Sequence, residues 1–174
     1  YLATQRNNEN EIDLSNSPPS NSIQLNQDIY ENLIKFDNQY LNFQIEKLKE
    51  DYGNSKFDKV VNRSKQLIVI FPNEVEFYNF LGLSQIALNN KIHAIKTFEN
   101  ALKFNPKCPI LLSNMAFAQV ESGFKEHGEL FYRKALIENK NLLEANKNLG
   151  EILIEQNNFL EAEFYLHKAI NIDK

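Results

Sequence analysis

The chain has 174 residues, 43% of them hydrophobic and 24% charged, a balance suited to one globular domain or a short repeat array. A net charge of −4 argues against a phosphate-binding surface, so no nucleic-acid partner is expected. The longest apolar stretches, such as Leu67 to Phe71, are too short to span a bilayer, so no membrane partner is expected either. Cys108 is the only cysteine, which excludes an internal disulfide or a cysteine-rich zinc site and fits a reducing, cytoplasmic location. The chain opens on Tyr1 rather than Met and without a charged-then-apolar leader, which reads as a piece of something longer that lacks a signal peptide.

Residues 1–22 contain the polar run "SNSPPSNS" and are expected to be disordered or extended. Within 23–40, Ile29, Leu33 and Phe36 recur at helical spacing and predict a separate helix. From residue 41 a pattern repeats every 34 positions. Ala94, Gly128 and Ala162 form one column; Phe98, Tyr132 and Leu166 a second; Ala101, Ala135 and Ala169 a third. Leu81-Gly82, Met115-Ala116 and Leu149-Gly150 keep the same interval one helix earlier. A fixed period of this length is the signature of a solenoid. Within each unit, residues such as Ala94, Phe98 and Ala101 share one helical stripe, and small residues let two antiparallel backbones approach closely. "NN" at 89–90, "SGF" at 122–124 and "NN" at 157–158 supply the turns inside each pair, and Pro72 and Pro106 mark unit ends.

These columns resemble the tetratricopeptide repeat family, and the resemblance covers 75–108, 109–142 and 143–174. It implies an all-α, right-handed solenoid of antiparallel helix pairs. Leu112 and Asn146 stand where the family often has an aromatic, kept here as Tyr78, and Lys140 and Lys174 replace the closing proline. One period earlier, 41–74 reads as a divergent repeat, with Lys47-Leu48 in place of Leu-Gly and Ser64 in place of the large apolar residue.

No catalytic signature is present: there is no glycine-rich phosphate loop, G-x-S-x-G or H-E-x-x-H. His93, His127 and His167 are expected on helix surfaces rather than around a metal, Cys108 is expected to pack at a unit junction, and no cofactor is expected. The resemblance instead implies a non-enzymatic scaffold whose concave face, lined by the first helix of each unit, binds a protein or peptide segment. The expected contact residues are Asn79, Phe80, Leu83, Ile86, Asn114, Phe117, Val120, Asn148 and Glu151, with Ser113, Glu121, Lys147 and Glu155 beside them.

Asn114 and Asn148 occupy the place at which the arms of O-linked N-acetylglucosamine transferases carry an asparagine ladder that grips a peptide backbone. A side-chain amide both donates and accepts, so it can pair with a peptide of any sequence. The alternative readings are the recognition arm of a larger glycosyltransferase or sulfotransferase, and a homo-oligomerisation module. Asn79 and Leu83 stand where the chaperone-tail clamp of the family needs Lys and Asn, which disfavours that partner. Finally, Phe159, Leu166, Ala169 and Ile170 are expected on the inner arc of the last helix, with Leu160, Phe164 and Tyr165 outside it. That face is expected to meet a further repeat or a second copy.

Overall fold

A computed structural model describes the backbone of residues 20–173 and the side chains of residues 37–173. The polar segment at 1–19 lies outside the described residues. Eight α-helices are present among the described residues, with no strand: α1 (Ser20–Gly53), α2 (Phe57–Ile70), α3 (Val75–Ala87), α4 (Lys91–Phe104), α5 (Pro109–Glu121), α6 (Lys125–Glu138), α7 (Leu143–Glu155) and α8 (Phe159–Ile172). The described residues divide into two compact units, separated between Phe43 and Gln44. The fold is an all-α helical repeat solenoid. No helix among the described residues is long and apolar enough to cross a membrane.

The expected boundary between a helix at 23–40 and another beginning at 41 is absent, because α1 runs unbroken from Ser20 to Gly53. The physical reason is plain: no glycine or proline interrupts residues 20–52, so nothing breaks the backbone ladder. Residues 20–22, expected to belong to the disordered segment, form the start of α1.

Helix boundaries keep the period of the sequence. α1, α3, α5 and α7 end at 53, 87, 121 and 155, and α2, α4, α6 and α8 begin at 57, 91, 125 and 159. Among the described residues, four have positive φ, Ser55, Asn89, Gly123 and Asn157, spaced by the same period. Each follows a helix end in the same way. The amides of Lys56, Asn90, Phe124 and Asn158 donate back to the carbonyls of Asp51, Gln85, Gln119 and Leu153 at 2.7–2.9 Å. This is the Schellman closure, which satisfies carbonyls that a helix end would leave unpaired.

Packing explains the small residues. A Cβ added at Gly82 would run into the Phe98 ring, and one at Gly150 would lie 2.6 Å from Leu166. A Cβ at Gly128 would collide with Val120. Phe98, Tyr132 and the alanines at 101 and 135 are all buried. The core divides into one cluster around Phe98, Leu111 and Met115 and another around Tyr132, Leu149 and Leu153.

The aromatic position of the family pattern also has a structural account. Tyr78 donates its hydroxyl to the Pro72 carbonyl at 2.8 Å. Asn146, which holds the place of Tyr78 two repeats later, donates to the carbonyl of Lys140 at 3.0 Å and to that of Leu142 at 2.7 Å. Lys140 is the repeat equivalent of Pro72, so an amide replaces a phenol in tying down the same turn.

Candidate functional site

The residues expected on the concave face fall into two groups. Towards the front, Phe80 meets Tyr52 edge-on with ring centroids 5.9 Å apart, and Leu83 and Ile86 are half-buried against the Phe98 cluster. Their contacts are between neighbouring helices, so much of their area is spent on holding the array together. Asn114 donates its amide to the Asn79 side-chain oxygen at 3.0 Å, joining α5 to α3. Ser113 is buried and offers no contact surface.

Towards the back, Phe117 and Val120 of α5 converge with Asn148 and Glu151 of α7 on one cleft of about 130 Å³. Glu121, Lys125, Tyr132, Ile152 and Glu155 complete its lining. Tyr132 and Lys125 come from α6, the second helix of its pair, and lie outside the set expected from sequence. The one signal for Tyr132 is its hydroxyl, which no other member of the Phe98–Tyr132–Leu166 column carries. That hydroxyl accepts a hydrogen bond from the Asn148 amide at 2.7 Å. Asn148 is thereby oriented by a buried side chain, with an amide proton committed to it.

The local electrostatics are acidic. Burial pushes the Tyr132 hydroxyl above the ordinary phenol value, and the carboxylates of Glu144, Glu151 and Glu121 push it the same way, against the Asn148 hydrogen bond. Lys91 lies 3.1 Å from Glu121, and the equivalent residues of the next repeat, Lys125 and Glu155, form the same pair. Each of these ion pairs links the start of one helix to the end of the next. Lys147 is exposed on α7 and does not line the cleft.

His93, His127 and His167 are exposed, and Cys108 is half-buried at the N-cap of α5. No group of His, Cys, Asp or Glu among the described residues is arranged to hold a metal ion. On α8, Ala169 is buried and Leu166 half-buried, but Phe159 and Ile170 are 61% and 56% exposed. The expected inner arc is therefore corrected at those two positions. They lie in solvent with Leu160 and Phe164, because the buried stripe is set by Ala162, Leu166 and Ala169.

The tetratricopeptide repeat family profile matches residues 75–108 and 143–174. No curated protein matches the chain in sequence. Among solved structures, MamA is similar with a TM-score of 0.65 and 17% identity, over 83% of this chain and 84% of that one. TTC0263, a thermophilic TPR protein of Thermus thermophilus, aligns with a TM-score of 0.68 and 16% identity, over 74% and 71%. A tetratricopeptide repeat protein from Parabacteroides merdae aligns with a TM-score of 0.59 and 24% identity, over 74% and 52%. The same helix-pair architecture thus recurs in proteins that share few residues with this one. With the periodic columns, the four repeated helix closures and the family match in hand, residues 75–108 and 143–174 are tetratricopeptide repeats set in an all-α helical repeat solenoid.

Proposed function

We propose that the chain is a protein-interaction scaffold whose concave face takes up an extended peptide segment of a partner. The observation that carries this reading is the cleft itself, where Phe117, Val120, Asn148 and Glu151, from the first helices of two successive repeats, line one half-enclosed space. Apolar floors with a few placed polar groups are the usual form of a binding site. The first helices of successive units offer a row of such positions along the array.

Asn114 gives the cleaner test of the asparagine pair, because Asn148→Ala would also strip the buried Tyr132 hydroxyl of its partner. Peptides selected from a random displayed library against the whole chain should bind Asn114→Ala more weakly, by about 1–3 kcal/mol if that amide meets buried backbone. The thermal melt should fall only by what the Asn114–Asn79 hydrogen bond contributes, about 0.5–1.5 kcal/mol, and Asn79→Ala supplies the control that loses that bond alone. Failure to select any peptide overturns the groove reading, and undiminished binding to Asn114→Ala removes Asn114 from it.

A further inference from the structure

The cleft between α5, α6 and α7 carries a sharper chemistry than a general peptide groove. Its volume is about 130 Å³, room for a side chain rather than a single water. A short aliphatic stem fits that space. Phe117, Val120 and Ile152 make the lining apolar, and Glu121, Glu151 and Glu155 supply carboxylates. Two of those carboxylates are already paired, Glu121 with Lys91 and Glu155 with Lys125. Glu151 is exposed and has no cation partner among the described residues.

A second observation comes from the buried wall. Tyr132 is 1% exposed and lines the cleft. Its hydroxyl oxygen accepts from Asn148, but its own proton has no acceptor among the described residues. A buried donor left unmet is costly, and a main-chain carbonyl of an extended segment supplies the missing acceptor. The same hydroxyl lies near enough to Glu144, Glu151 and Glu121 for their charges to raise its pKa, in addition to its burial.

An amphipathic cation meets all of these features. Lysine and arginine lay an aliphatic stem along apolar surface while keeping the charged head at the rim. We infer that this cleft is a specificity subsite for a lysine or arginine side chain of the partner segment, with the stem on Phe117, Val120 and Ile152 and the cation at Glu151. The inference rests on the groove reading above and adds the chemistry of one residue of the partner.

The test uses random peptides displayed and selected against the whole chain. Lysine or arginine should dominate one position of the selected sequences. A selected peptide should then lose roughly five- to tenfold in affinity against Glu151→Lys, and a smaller factor against Glu151→Gln. Replacing its basic residue by norleucine should abolish the difference between the variants and the parent. Glu151 is exposed, so both variants should melt as the parent does. Selected peptides without a basic position, or affinities indifferent to Glu151→Lys, overturn the subsite and leave the groove reading standing. If no peptide is selected at all, the groove reading falls and the subsite falls with it.

Discussion

In the α3/α4 pair, Gly82 lies under the Phe98 ring; in the pair made by the end of α1 with α2, the equivalent positions hold Leu48 and Ser64. All four residues are buried, and Leu48, Ser64 and Phe98 have no exposed surface. The large and small residues have exchanged places between the two columns. A third column shows a related change, since Leu67 is buried where the later pairs have Ala101, Ala135 and Ala169. A helix crossing constrains the total volume between two backbones more tightly than the identity of either residue. A sequence can therefore depart from a repeat signature column by column while keeping its fold.

The largest test of that comparison is Phe98→Ser, which should cost roughly 3–5 kcal/mol, as removal of a buried phenylalanine does. Adding Gly82→Leu then recreates the Leu48/Ser64 arrangement and should recover part of the loss, with a coupling of about 1–3 kcal/mol in a urea-denaturation cycle. Strict additivity would break the comparison. Next in size, Leu67→Ala should destabilise by about 2–5 kcal/mol and Ala135→Leu by about 1–3 kcal/mol. Opposite substitutions would then be harmful at equivalent positions. A thermal melt unmoved by Ala135→Leu would show that the helices do not cross where the columns place them.

The two pairs also differ in their carboxylates. The Lys59 ammonium, hydrogen-bonded to Asp51 at 3.0 Å, holds that carboxyl below its usual value against the cost of its burial. Glu74 moves the other way, pushed up to about 7 by the neighbouring Glu76 carboxyl and by partial burial. The signs follow from linkage. The contribution of Asp51 is present above its unfolded value near 3.8 and is lost as pH falls through its lower folded value. The contribution of Glu74 is full below its unfolded value near 4.5 and is lost as pH rises through about 7. Melting temperatures of Glu74→Gln should therefore fall less than the parent's between pH 4.5 and 7, whereas Asp51→Asn should flatten only the acid limb. A parent-like slope in Glu74→Gln would sink the assignment.

The smallest effect is expected at the turns. Ser55 has φ of +58° and Gly123 φ of +89°, and only glycine adopts this region without strain. Ser55→Gly should stabilise by about 0.5 kcal/mol, once the greater freedom of glycine in the unfolded chain is set against the relief. Asn89→Gly should do less, since asparagine tolerates the conformation.

What can be read from the sequence follows the same physics. Columns such as Ala101–Ala135–Ala169 are legible because close backbone approach admits few residue types. The turns are legible wherever Asn or Gly marks them, and Ser55 escapes because serine carries no such mark. The continuity of α1 is signalled by the absence of glycine and proline from 20 to 52, but the repeat period, which places a unit boundary at 41, masks that signal. At the cleft, Phe117, Val120, Asn148 and Glu151 are accessible from helix periodicity, which fixes faces within a helix. Lys125 and Tyr132 are not, because they enter from a second helix whose column reads as core, and the hydrogen bond between Asn148 and Tyr132 joins two different helices.

The helices from α2 to α8 make their main contacts with sequence neighbours, and the one further principal contact, α3 with α5, skips a single helix. Few segments separated far along the chain must find each other before contacts form, so loop-closure entropy is a small part of the folding barrier and folding should be fast. Opening can likewise begin at one helix pair without disrupting the whole. Amide hydrogen exchange should accordingly be graded along the array, slowest around α4 to α6, where each helix is covered on both sides. Occupation of the cleft between α5 and α7 should extend that protected block towards α8, making exchange rates along the chain a direct readout of binding.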